Sequence, residues 1–143
     1  MAGAGDVNGD GFADVLIGAP TFGAADDGRG NLFFGGASMN NVADVSYFGS
    51  AGENQGYSVA GAGDMNGDGF DDVALGSPLN DTVGLNAGLV RIYPGSPLSQ
   101  AIPLVTLLGE AAGDQFGFSV AGIGDLNADG AADVAVGAPL HAV

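Results

Sequence analysis

Short apolar strings follow one another along the chain, each about five residues long and each stopped by glycine or proline. The clearest set falls at 56–60, 72–76, 88–93 and 103–108, with equivalents at 14–18, 31–34, 45–48, 117–121 and 133–137. These lengths sit near the modal strand length, and no amphipathic helical period of useful length interrupts them. Runs such as Val15-Leu16-Ile17 lack the polar alternation of a half-solvated strand, which predicts strands covered on both faces. The 28 glycines and six prolines punctuate these strings at a regular spacing, as tight turns do and disordered low-complexity tracts do not. The expected fold class is all-β: four-stranded antiparallel blades of a partial β-propeller, or a related array.

The same acidic loop precedes the second string of every unit. The copies read Asp6-Val-Asn-Gly-Asp-Gly-Phe-Ala-Asp14, Asp64-Met-Asn-Gly-Asp-Gly-Phe-Asp-Asp72 and Asp125-Leu-Asn-Ala-Asp-Gly-Ala-Ala-Asp133. Counting strings from these landmarks divides the chain into an incomplete first blade (1–55), a complete second blade (56–116) and an incomplete third (117–143). Nine strands on this count begin and end in mid-blade, and an open blade edge invites pairing. Two arrangements answer that: a segment of a longer chain, or a homo-oligomer in which the last strand one completes a neighbour's first half-blade.

Loop positions 1, 3, 5 and 9 carry oxygen side chains, the donors a hard cation such as Ca²⁺ takes. The expected side-chain ligands are Asp6, Asn8, Asp10 and Asp14; Asp64, Asn66, Asp68 and Asp72; and Asp125, Asn127, Asp129 and Asp133. Position 7 adds a backbone carbonyl from Phe12, Phe70 or Ala131, so up to three calcium ions are expected, one per loop. Glycine at position 6 permits the sharp reversal around an ion. An EF-hand would need glutamate at position 12, where Ile17, Leu75 and Val136 stand instead. The alternative is an Asn/Asp/Gly-rich turn holding no ion, which would have to recur three times in register.

The string Phe-Gly-x-Ser-Val-Ala-Gly-x-Gly-Asp-x-Asn-x-Asp-Gly-x-x-Asp-Val-x-x-Gly-Ala-Pro resembles the FG-GAP repeat of integrin α-subunit propellers and related bacterial surface proteins. Residues 116–139 follow it nearly throughout, and 56–78 follow it with Gln55 in place of Phe and Ser77 in place of Ala. Residues 2–20 carry its second half, making about two and a half repeats. The resemblance implies a propeller, usually seven-bladed, with structural Ca²⁺ in the hairpin between strands one and two. It also implies partners that bind a propeller face.

Charge narrows the function. Seventeen acids face two arginines, giving a formal −15, so nucleic acid and anionic membrane surfaces are poor partners. There is no cysteine, hence no disulfide framework or thiolate metal site. Catalysis is hard to assemble from one histidine, no lysine and no cysteine. His141 reads as a solvated tail residue, and Arg91 as a strand residue paired with an acid. Tyr47, Phe48, Tyr57, Phe116 and Phe118 read as packing between blades. The expected function is a non-enzymatic, calcium-stabilised adhesion or protein-interaction module at the cell surface or in the extracellular space, without direct membrane insertion. Its partner would be a protein or glycan ligand. Any secretory segment would lie outside these residues. The competing expectation is a propeller from a secreted carbohydrate-active enzyme or glycan-binding protein. Its acid–base pair would be Glu53 with Asp44, or Glu110 with Asp114.

Overall fold

The computed structural model describes residues 1–98 and 100–141. Among these residues ten strands form three antiparallel sheets: β1 (Ala2–Gly5), β2 (Asp14–Ala19), β3 (Arg29–Phe33) and β4 (Val45–Phe48); β5 (Ser58–Gly63), β6 (Asp72–Ser77), β7 (Leu89–Tyr93) and β8 (Val105–Leu108); and β9 (Ser119–Gly124) with β10 (Asp133–Gly137). Each sheet is a meander in chain order, and the array is not closed. No helix occurs among the described residues.

The first sheet has four strands, β1 to β4, where three were expected. Ala2-Gly-Ala-Gly lacks the bulk of a strand signal, yet it pairs with β2, Ala2 opposite Leu16 and Gly3 opposite Val15. Its small residues are what the position demands. A Cβ on Gly61 would strike the Gly3 carbonyl oxygen, and one on Gly122 would strike that of Gly61. First strands of successive sheets therefore pack almost backbone to backbone, and at Gly61 and Gly122 only glycine fits. The same strands run further than expected: β5 and β9 continue through Gly-Ala-Gly and Gly-Ile-Gly to the acidic loops, while Gly56 and Tyr57 lie in the linker and donate to the Gly76 carbonyl.

Side chains between the first two sheets form one core, with Leu16, Leu32, Tyr47, Val73, Leu75 and Tyr93 at its centre. A second core joins Ala74, Val90 and Ile92 to Phe116, Val120, Val134 and Val136 of the following unit. All six residues of β6 are buried, as expected for a strand sandwiched between sheets. The expectation fails in part for β2, where Leu16 is fully buried but Ile17 remains 37% exposed because no further sheet covers its face.

Candidate metal centres

Each acidic loop is the turn from strand one to strand two, and a bulge marks its entrance. Pairing slips between Gly3 and Gly5, between Gly61 and Gly63, and between Asp133 and Val134. Gly5, Gly63 and Gly124 take left-handed φ of 79°, 70° and 72°, which re-aims the chain into the loop.

Within the first loop, Asp6 gathers the backbone. Its Oδ1 accepts from the Gly9 and Asp10 amides at 2.8 and 3.0 Å, and its Oδ2 accepts from the Gly11 amide at 2.9 Å. Asn8 Oδ1 accepts from the Asp10 amide, Asp10 Oδ1 from the Phe12 amide, and Asn8 Nδ2 donates to Asp10 Oδ2. The second loop repeats every one of these bonds through Asp64, Asn66 and Asp68, within about 0.1 Å. The Gly69 amide leads the bonds that hold Asp64 below the usual carboxylate range. In the third loop Asp125, Asn127 and Asp129 keep the pattern except for one bond, the amide at position 4. Glycine there has φ 76° in the first two loops; Ala128 adopts 61°, a strained left-handed value for a residue with a Cβ.

The position-9 carboxylates lie apart from the others, at the base of each loop. Asp14 and Asp72 are buried, with Oδ2 accepting from the Val7 and Met65 amides at 2.8 and 2.9 Å. Their Oδ1 atoms accept from Gly35 and Gly95, just beyond strand three, at 2.8 Å each. Burial pushes both acids up from the ordinary range, and the like charges of Asp6 with Asp10, and of Asp64 with Asp68, push in the same direction. Among the described residues, Asp133 accepts from the Leu126 amide alone, at 2.8 Å.

Among the described residues, no three Asp, Glu or His side chains converge on one point. The donor set nevertheless fits a hard divalent cation in kind. Every expected ligand atom is oxygen, and a carboxylate oxygen that accepts one amide retains a second lone pair. Like-charge crowding around a buried carboxylate is the electrostatics that a cation relieves.

Sequence reading missed Asp71, at position 8 of the second loop. Its Oδ2 accepts from the Asp6 amide at 2.8 Å, while its own amide donates to the Asp6 carbonyl at 3.2 Å. Adjacent loops are thereby clasped along one rim. The amide half recurs as Ala132 donating to the Asp64 carbonyl at 2.8 Å, where alanine has no carboxylate to complete the clasp. The available signal was an acid at position 8 in one copy only.

Antiparallel topology puts the strand two–three turns and the inter-sheet linkers at the opposite rim. There Arg91 meets Glu53 through two bonds of 2.8 and 3.1 Å, bearing out its expected pairing with an acid. Burial raises Glu53, but Arg91, the Ser50 amide and Asn80 outweigh it and hold the carboxyl below its usual range. Gln55, the departure from the repeat motif, is fully buried and bonds to both Arg91 and the Tyr93 hydroxyl. Glu53 and Asp44 have separate partners, since Asp44 accepts from the Phe34 amide at 2.7 Å. His141 is no loose tail residue: Nδ1 lies 3.1 Å from Asp114 Oδ2, and Nε2 is 3.9 Å from Glu110.

The aromatic residues divide. Tyr47 stacks on Tyr93 inside the core, with centroids 4.4 Å apart, and Phe116 packs between sheets. Phe48, Tyr57 and Phe118 are instead exposed. Tyr57 and Phe118 pair at 5.0 Å on the wall of a cleft of about 190 Å³ with Pro20, Asn54, Pro78 and Leu79, on the rim away from the acidic loops.

The family model described as "FG-GAP repeat" matches residues 2–33 and 55–93. Integrin alpha-5 of Xenopus laevis is 34% identical over 146 residues, covering 95% of this chain and 13% of the relative. Integrin alpha-7 of Mus musculus is 35% identical over 138 residues, covering 92% and 11%, and human integrin alpha-11 is 35% identical over 150, covering 96% and 12%. The chain thus spans about an eighth of the length of the curated relatives it matches. It belongs to the FG-GAP repeat family, and its four-stranded sheets are propeller blades of that type.

Proposed function

We propose that this chain is a non-enzymatic protein-interaction module of the integrin α propeller type, displayed outside the cell and made rigid by Ca²⁺ in its strand one–two hairpins. The observation that carries the reading is the bonding of the first two loops. Seven bonds from backbone amides to side-chain oxygens repeat atom for atom, two of them to a buried carboxylate with like charges nearby. In the first loop Asp6, Asn8, Asp10 and Asp14 would hold the ion with the Phe12 carbonyl. Asp64, Asn66, Asp68, Phe70 and Asp72 would do so in the second, and Asp125, Asn127, Asp129, Ala131 and Asp133 in the third. The ion supplies positive charge that offsets carboxylate repulsion, so its binding free energy becomes folding free energy.

A partner would bind the rim opposite the loops. The exposed Tyr57–Phe118 pair and its cleft support that placement. Exported adhesion surfaces meet abundant calcium, which suits modules that bind it weakly. Calorimetric titration with CaCl₂, with thermal melts in EDTA, tests the metal role. No heat of binding together with an unchanged melting temperature would remove the reading.

A further inference from the structure

The two blade junctions follow one plan built with different side chains. In the linker into the second blade, Glu53 Oε2 accepts from the Ser50 amide at 2.9 Å; in the linker into the third, Asp114 Oδ2 accepts from the Ala111 amide at 2.8 Å. The turn after strand two reaches back to that acid in both. Asn80, which follows Ser77-Pro78-Leu79, donates to Glu53 Oε1 at 2.6 Å. His141, which follows Ala138-Pro139-Leu140, stands at the corresponding place, 3.1 Å from Asp114. The Asp114 side chain is only 5% exposed, so it needs a donor. Arg91, on strand three of the second blade, reinforces the first junction, and at the second His141 lies beside Asp114 and Glu110.

We propose that the second junction is a pH-sensitive latch, closed by protonated His141 on Asp114, whereas the first is held by groups that keep their charge near neutrality. An amide and a guanidinium do not titrate between about pH 5 and 8, but imidazole does. The titratable groups facing His141 are Asp114 and Glu110, both acidic; the other walls of the site are Leu108, Phe116 and Ala138. The bond to Asp114 lifts His141 above its ordinary value of 6.5, and the same bond holds Asp114 below its own. A histidine raised in the fold contributes fully below its unfolded pKa and loses that contribution as pH rises through the folded one. Asp114 contributes until pH falls through its lowered value. The latch is therefore tight between these limits and slackens on the alkaline side, where neutral imidazole can donate one hydrogen bond to the carboxylate but no longer pairs charge with it.

His141 is the sole histidine, so its ring-proton resonances report a single group in the intact chain at fixed calcium. The expected midpoint lies above that of a histidine in a short peptide, falls in Asp114→Asn, and falls less in Glu110→Gln. The Gly117 amide, which donates to Gly137 across the latched junction, should exchange more slowly below the midpoint than above it. Corrected for intrinsic exchange and normalised to Gly56, which donates to Gly76 at the first junction, the difference should be on the order of a few-fold. His141→Asn should abolish that difference while leaving the junction closed. A peptide-like midpoint, or one unmoved by Asp114→Asn, overturns the proposal.

Discussion

The first two acidic loops and the third share a side-chain framework but differ in how they are anchored. In all three, the position-1 aspartate gathers backbone amides and position 5 accepts from position 7. In the first two, the position-9 carboxylate is buried and tied to strand three through Gly35 or Gly95. The third keeps Asp133 half-buried with one amide, and Leu126 beside it is 77% exposed where Val7 is fully buried. The loop is thus a local object, built from residues within nine positions of one another. In the first two loops the sheet behind adds a second anchor, the amide just beyond strand three.

Calcium should expose this difference most strongly. At a hundredfold excess over its dissociation constant, each saturated loop contributes about 2.7 kcal/mol, so EDTA should lower the melting temperature by many degrees. Calorimetry should resolve two tighter events and one weaker, the third assigned by Asp125→Ala. Three equal affinities would mean that anchoring of position 9 is irrelevant to binding.

In EDTA, where metal plays no part, Asp72→Ala should cost about 2–3 kcal/mol in urea denaturation because it orphans the Met65 and Gly95 amides. Asp133→Ala should cost about 1 kcal/mol or less, its Leu126 amide being open to water. A cost for Asp133 equal to that for Asp72 would show the third loop to be as well anchored as the second.

Asp71→Ala removes the acceptor for the Asp6 amide and should lose about 1 kcal/mol. It should also weaken calcium binding at the first loop more than at the second. Ala128→Gly runs the other way, with an expected gain of about 1 kcal/mol from relief of left-handed strain. Gly67→Ala at the equivalent place should lose a similar amount, since its Cβ meets no neighbour and only the backbone strain differs. Opposite signs for these two substitutions are required.

The smallest effect is in pH. Asp14 and Asp72 are raised in the fold above the carboxylate value of 3.8, so each disfavours the folded state when ionised. In EDTA their contribution should grow more favourable as pH falls from neutral through the raised values. Asp72→Asn should remove part of that slope. With calcium present the slope should reverse, because protons then compete with the ion.

Much of this was legible along the chain because it is written in short range. The Asp/Asn/Gly spacing encodes the hairpin through bonds that span two to five residues, and the apolar strings mark most strands. What escaped has a common cause. Ala2–Gly5 carries no hydrophobic signal, because its role is to let the next sheet approach. Asp71 and His141 look like ordinary polar residues until residues 65 and 27 positions away are brought beside them. Exposure of Phe48, Tyr57 and Phe118 likewise depends on which faces the neighbouring sheets leave uncovered.

By itself, the sequence determined the repeat, the all-β class and the acidic hairpins, since each rests on local periodicity and turn chemistry. The tertiary structure alone decided which carboxylates are buried, which loops are clasped together and which acid each junction presents. Those outcomes depend on contacts between sheets, and no property of a single segment encodes the distance to another.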